Sequence, residues 1–328
     1  MEFTPLGWDG TLISRLGFGC SAASGYDCGP IDSKAWVCAV QAAVDYGLNF
    51  FDVADVYGLG RVEKMLCEAL GRKRHQVVVA TKGGLVWDER GVTRRDASPA
   101  QIRRAVDNSL RNLRLETIPL YQVHWPDPVT PIEDTLGALL DLRRVGKIRM
   151  FGVSNFPLES LRRIQVMTPF ESLQVPYNLL CREVEEQTLA WCAAQKVSVI
   201  AHSGLARGVL ACKRRSGDPF NGLDSRSRSP YFAVDPSGQK QHLLDAIREI
   251  CDRTGGSCVS VALRWVLDNP GISTVLVGIK TITQLNESMG ALDWSLTESD
   301  RALLTSLSSY CQGALQGEPI HGPVSSDL

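Results

Sequence analysis

No stretch of the 328 residues approaches the ~18 consecutive apolar residues that a membrane-spanning helix needs. Neither sign of charge is in excess. Lys and Arg number 35 against 36 Asp and Glu, and basic residues gather only at Arg72-Lys73-Arg74 and Lys213-Arg214-Arg215, which argues against nucleic acid as a partner. The first twenty residues carry acids and a turn rather than a basic start and an apolar block, so a protein of the cytoplasm, without a membrane partner, is expected. The ten cysteines, scattered from Cys20 to Cys311, include no C-x-x-C pair, and the five histidines do not stand beside them at ligand spacing. Disulfides and a metal site are therefore not expected, and the thiols read as reduced and mostly buried. No Ser/Gly-rich linker divides the chain, which reads as one domain over residues 1–328.

With 44% hydrophobic residues, the chain can bury a large core. After "WDGT" (Trp8 to Thr11), whose Asp-Gly suits a hairpin turn, short β-rich runs alternate with amphipathic helical stretches. Strands are expected at Arg15–Cys20, Leu48–Ala54, Gln76–Gly83, Ile118–Trp125, Met150–Asn155, Ser172–Tyr177, Val197–Ser203 and Thr274–Gly278. Polar caps precede helices at Lys34–Tyr46 (Asp32-Ser33), Ala100–Leu113 (Ser98-Pro99) and Ile132–Val145 (Thr130-Pro131), and Gly47 and Gly146 supply stops. This alternation predicts an α/β fold, a single (β/α)8 TIM barrel with an N-terminal β-hairpin and additional C-terminal helices.

Chemistry in such a barrel sits where strands end and loops begin. Those positions hold Ser21, Asp52 and Tyr57, Lys82, His124, Ser154 and Asn155, Gln174, and His202 with Ser203. Each has an ordinary explanation alone: a solvated lysine, a core histidine, a capping aspartate. An acid, a phenol, an ammonium and an imidazole at one mouth instead suit reduction of a carbonyl. Hydride addition creates an alkoxide that needs a proton, and a tyrosine, with a reference pKa of about 10, donates one at neutral pH only if a nearby cation favours its ionised form. Lys82 can be that cation, Asp52 can hold it charged, and His124 can orient the carbonyl oxygen.

The segments "FFDVADVYG", "ATKGG", "VHWPD", "GKIRMFGVSNF" and "GLARGVL", in this order and across nearly the whole chain, resemble the signatures of the aldo-keto reductase superfamily. The wording around "TKGGLVWDERGVTRR" and "YQVHWPDPVTPIEDTL" is most similar to its bacterial stress-type and sugar-type branches. The resemblance implies a barrel that binds NADPH, less often NADH, without a Rossmann domain. It assigns Tyr57 as general acid, Lys82 and Asp52 as its modulators, and His124 as the substrate-orienting group. Ser154, Asn155 and Gln174 would hold the nicotinamide carboxamide. His202 replaces the usual stacking aromatic, beside Ser203, Leu205 and Arg207 of the cofactor clamp, and Gly204 replaces a usual Pro. "VGIKTITQLNES" is similar to the segment gripping the adenosine phosphate. Gly278 opens it, Lys280 and Thr281 would meet the 2′-phosphate, Gln284 and Glu287 the adenosine, and Ser288 stands where Asn is usual. Lys280 favours NADPH (NADP+) over NADH.

Competing patterns exist. "GFGCSA" (Gly17 to Ala22) matches a dinucleotide-binding G-x-G-x-x-A, but Gly25, Gly29 and Pro30 disfavour the helix it requires. "GLGRVE" reads as the start of the second helix. Lys82 could serve a Schiff-base lyase, or the chain could be an NADPH-binding regulatory relative without turnover. Trp87 and Trp125 are candidate substrate walls. The segment 207–239 is expected to be a mobile loop over cofactor or substrate, and 311–328 a partly disordered tail. The partner expected is a small-molecule carbonyl substrate, with the chain a monomer or small homo-oligomer.

Overall fold

The structure, a computed structural model, describes residues 1–8, 10–25, 29–89, 91–213, 220, 226, 229–233 and 235–315, with side chains described as far as residue 308. The antiparallel hairpin β1 (Phe3–Leu6) and β2 (Thr11–Ser14) comes first. Its turn leaves through Gly10 at φ 77°, while Asp9 lies outside the described residues. Then follow β3 (Leu16–Gly19), α1 (Ser33–Asp45), β4 (Phe50–Asp52), α2 (Arg61–Leu70) and β5 (Val78–Gly83). A second hairpin, β6 (Leu85–Trp87) and β7 (Thr93–Arg95), precedes α3 (Pro99–Leu113), β8 (Ile118–Val123), α4 (Ile132–Arg144), β9 (Ile148–Ser154) and α5 (Leu158–Met167). The remainder is β10 (Ser172–Pro176), α6 (Thr188–Gln195), β11 (Ser198–His202), α7 (Gln239–Thr254), α8 (Cys258–Leu267), β12 (Thr274–Gly278), α9 (Ile282–Met289) and α10 (Glu298–Leu315).

Eight parallel strands, β3, β4, β5, β8, β9, β10, β11 and β12, pair in that order and close as β12 meets β3. Period-two alternation sorts their side chains. Phe18, Phe51, Val79, Tyr121, Phe151 and Val199 face the helices in one large core, whereas Phe50, Val78, Ala80, Leu120, Met150, Ile200 and Leu276 form a separate cluster. Leu6 and Ile13 of the hairpin belong to that second cluster, so the hairpin closes one end of the barrel. Continuing the inward rows along β4, β5 and β8 brings Asp52, Lys82 and His124 to the opposite, open end.

Asp32 caps α1 by accepting from the amides of Lys34 and Ala35, and Ser98 caps α3 with Pro99 at its first position. The cap expected at Thr130-Pro131 is different. Pro131 itself occupies the cap position, without a side-chain cap bond, because the Thr130 hydroxyl donates to Asp127 Oδ2 at 2.6 Å instead. After "GFG" the chain makes a tight turn, Cys20–Ser24, ending at Gly25 with φ 78°, and the next helix starts only at Ser33. Barrel packing explains these glycines: a Cβ at Gly17 would lie 2.8 Å from Leu276 Cδ2 and 2.9 Å from Phe50 Cδ1. "GLGRVE" does start a helix, with Gly60 capping α2. Among the described residues no helix is long and apolar enough to cross a membrane. Helix α10 runs to Leu315, into the segment expected as a disordered tail, and residues 316–328 lie outside the described residues.

Candidate active site

At the open end, Lys82 Nζ lies 2.6 Å from Asp52 Oδ1 and donates to the carbonyl of Val53 at 3.2 Å. The lysine side chain is 0% exposed and the aspartate 4%. The second carboxylate oxygen is also held, because Gln174 Nε2 donates to Asp52 Oδ2 at 2.9 Å. Gln174 Nε2 donates in addition to Gln122 Oε1 at 3.0 Å, and Gln122 Nε2 to Ser172 Oγ at 3.1 Å. A buried charged pair keeps its geometry only when its remaining polar atoms are satisfied, and this network of four strands supplies that satisfaction. Gln122 and Ser172 escaped the sequence reading. Their signal was the alternation itself, since Gln122 stands two residues before His124 on the same inward row.

Backbone bonds place Tyr57 above this pair. Its amide donates to Ala54 O at 3.1 Å, and its carbonyl accepts from Val62 in the first turn of α2 at 3.3 Å. The Tyr57 ring centroid is 5.4 Å from Lys82 Nζ, and 5.9 Å from the His124 ring, edge to face. Burial, and then the Lys82 charge, holds His124 well below its usual imidazole pKa. Burial and Lys82 likewise bring His202 down to about 3. Both imidazoles are thus neutral at physiological pH, each with one N–H to give and one lone pair to accept. Among the described residues His124 Nδ1 is buried without a partner.

The neighbouring acid, Asp55, points away from this chemistry. Burial, and then repulsion from Glu63, push its pKa well up. Glu63, fully buried, accepts from Thr81 Oγ1 at 2.8 Å and Asn112 Nδ2 at 2.9 Å, behind the barrel wall.

On the cofactor side of the mouth, His202 bonds through Nε2 to Asn155 Oδ1 at 3.1 Å and through Nδ1 to Ser203 Oγ at 3.0 Å. Asn155, at φ 64°, donates through Nδ2 to Ser154 Oγ and to the His124 carbonyl. A single cavity of about 580 Å³ runs from Asp52, Tyr57, His124 and Trp125, past Ser154, Asn155, Gln174, His202, Ser203, Leu205 and Arg207, to Gly278, Lys280, Gln284, Glu287 and Ser288. Lys213, Arg226 and Tyr231, inside the segment expected as a mobile loop over cofactor or substrate, also line it. Residues 214–219, 221–225, 227–228 and 234 of that segment lie outside the described residues.

Three expected site residues do not line this cavity. Lys82 lies beneath it, Trp87 sits on the β6–β7 hairpin, and Thr281 spends its hydroxyl capping α9 through the amide of Gln284. Trp125 does line it, with the Arg95 guanidinium over its ring at 5.2 Å. Lys280 Nζ donates to the carbonyls of Gly29 and Pro30 at 3.0 and 3.1 Å, and Glu287 is paired with Lys213 at 2.7 Å across the rim.

This donor set fits an elongated anionic ligand. Cationic Arg207, Lys213, Arg226 and Lys280 line one end, and amide and hydroxyl groups approach Tyr57 at the other. No group of three or more His, Cys, Asp or Glu among the described residues could hold a metal ion.

An eight-stranded barrel with a phenol over a buried Lys–Asp pair at its mouth defines an oxidoreductase-type barrel. The chain belongs to the aldo/keto reductase family, whose family model matches residues 15–309. It is 35% identical over 304 residues to the aldo-keto reductase YhdN of Bacillus subtilis, covering 92% of each chain. It is 28% identical to an NADH-specific methylglyoxal reductase of Escherichia coli, covering 93% of this chain and 97% of that one. Among solved structures, a glycerol dehydrogenase of Gluconobacter oxydans matches with a TM-score of 0.84 at 34% identity, covering 98% of both chains. An aldo/keto reductase of Klebsiella pneumoniae in complex with NADP and acetate matches with a TM-score of 0.72 at 26% identity, covering 92% and 94%.

Proposed function

We propose that the protein reduces a small aldehyde or ketone to the alcohol with NADPH, using Tyr57 as the general acid. The observation that carries this reading is the fully buried Lys82, paired with Asp52 at 2.6 Å and lying under the Tyr57 ring. Bound NADPH supplies the hydride. The chain's own residues manage the oxygen. Neutral His124 donates a hydrogen bond to the carbonyl oxygen and fixes its approach. The Tyr57 hydroxyl gives its proton to that oxygen as negative charge develops, and the Lys82 cation stabilises the phenolate left behind. Asp52 and Gln174 keep the cation in register.

The cationic residues at the far end of the cavity, Lys280 among them, support NADPH. A similar structure holds NADP, whereas a similar protein is NADH-specific, so the preference belongs to this proposal. Similarity to a glycerol dehydrogenase and a methylglyoxal reductase makes short hydroxy- and dicarbonyl compounds the first substrates to try. The Schiff-base alternative is disfavoured by geometry: Lys82 Nζ is occupied by Asp52 and Val53, and Lys82 does not line the cavity.

The test is an NADPH- and NADH-oxidation screen across dihydroxyacetone, glyceraldehyde, methylglyoxal, longer aldehydes and sugars. Turnover with a carbonyl, faster with NADPH, is expected. Cofactor binding without turnover on any of them would replace this reading with a regulatory one.

A further inference from the structure

Behind the wall of the cavity, three thiols converge. Cys258 is the first residue of α8, beyond the Ser257 cap, and Cys251 lies in the last turn of α7. The Cys251 thiol donates to Cys258 Sγ at 3.6 Å, and Cys212, which follows the turn Ala206–Ala211, lies beside them. Cys212 Sγ also approaches the carbonyls of Leu210 at 3.7 Å and Leu244 at 3.9 Å. Cys258 and Cys212 are partly exposed, Cys251 is buried, and none is in a disulfide.

The asymmetry within the trio is chemical. The neighbouring Cys212 thiol, with smaller help from Cys251, Arg248 and the amide at the start of α8, brings Cys258 down to about 6 against the opposing effect of burial. Burial and the neighbouring Cys258 push Cys251 up to about 12. Cys258 is thus the more acidic of two sulfurs 3.6 Å apart, the arrangement of an attacking and a resolving cysteine.

We propose that Cys258 is a peroxide-reactive cysteine, resolved by Cys251, whose oxidation loosens the cofactor cavity. The Cys258 thiolate attacks one oxygen of hydrogen peroxide, the O–O bond breaks, and hydroxide leaves, giving a sulfenic acid. Cys251 sulfur then attacks the Cys258 sulfur. The S–O bond breaks and hydroxide departs with the Cys251 proton as water, leaving a disulfide, which a dithiol reverses. Each disulfide consumes one peroxide. Closing 3.6 Å to the ~2.05 Å of an S–S bond asks for a shift of under ~2 Å between the end of α7 and the start of α8.

The coupling follows from sequence neighbours. Val259, next to Cys258, lines the cavity, as do Ala211 and Lys213 on either side of Cys212. The shift that forms the disulfide moves Cys258 and with it Val259 in the cavity wall, close to the Lys213–Glu287 pair across the rim. This second half rests on the cofactor reading above.

The experiment uses the full chain without cofactor. Timed iodoacetamide labelling at pH 7 with peptide mapping should show Cys258 reacting about tenfold faster than the exposed Cys38. Equimolar peroxide should give a Cys251–Cys258 disulfide, and C251S should accumulate a dimedone-trappable sulfenic acid at Cys258. Faster labelling of Cys38, or a disulfide to another partner, overturns the proposal. NADPH titration by protein fluorescence should then show the oxidised protein binding several-fold more weakly, with recovery on reduction and no such change in C258S. Equal affinity of the two forms overturns the coupling. Because labelling and mapping need neither NADPH nor substrate, failure of the carbonyl-reductase reading is told apart from failure here.

Discussion

Gln174 Nε2 reaches across the barrel from β10 to donate to Asp52 Oδ2 at 2.9 Å, so the carboxylate that holds Lys82 with one oxygen is itself clamped by the other. The pair is therefore rigid as well as buried. Removing one member leaves a buried charge without its counter-charge, a loss of about 3–5 kcal/mol. Lys82→Met should lower the urea midpoint accordingly, and the double variant with Asp52→Leu should recover much of it. A Lys82→Met protein as stable as the parent would show that the pair is not the desolvated unit described.

Tyr57 is partly buried at the mouth and packs against the edge of the main core, a contact that Phe preserves, so Tyr57→Phe should fold normally. Loss of the proton donor should reduce kcat by about 10² to 10⁴. NADPH quenching of protein fluorescence should titrate with nearly unchanged affinity. Steady-state rates within a few-fold of the parent would sink the assignment of Tyr57 as general acid.

His124 and His202 stay neutral in the fold, while the unfolded chain protonates each near pH 6.5. The unfolded state therefore binds more protons as pH falls through 6.5. Stability from these two groups is complete above that pH and declines below it, for His202 down to about 3, by at most about 1.4 kcal/mol per pH unit per histidine. Asp55 has the opposite sign. Burial makes its carboxyl hold the proton to higher pH in the fold than in the unfolded chain, which ionises above about pH 4, so its contribution falls as pH rises through 4. Asp55→Asn should accordingly gain stability relative to the parent at pH 7 and not at pH 4. Thermal melts of both proteins between pH 4 and 8 check the two signs together.

Gly152 lies on β9 beside β10, and a Cβ there would stand 2.1 Å from Ser172 Oγ and 2.4 Å from the Ser172 carbonyl oxygen. The hydroxyl can turn away, but a backbone oxygen in a parallel ladder cannot. Gly152→Ala should cost at least about 1–3 kcal/mol, typical of overpacking, and loosen the Gln122–Ser172 contact beneath the site. Gly137→Ala, in a helix where a Cβ meets nothing within 4 Å, is the control and should be neutral or stabilising. Equal melting temperatures for the two variants would contradict the close approach of β9 and β10.

The sequence by itself determined the strands and which polar residues stand at their ends. Period-two alternation with capped helices between makes a barrel wall whatever the loops do, and Thr274–Gly278 came out with the bounds expected of it. Phe50 and Phe51, alike in sequence, were sorted only by closure: one enters the inner cluster and the other packs against the helices. Tertiary structure alone decided that Gln174 clamps Asp52, since 122 residues separate them, and that Glu287 answers Lys213. It also drew Cys212, Cys251 and Cys258 together, although no cysteine spacing announced it. Local patterns fix which face of a strand or helix is buried. Which side chains meet inside a closed barrel is set by strand register and helix docking, and those are properties of the whole sheet.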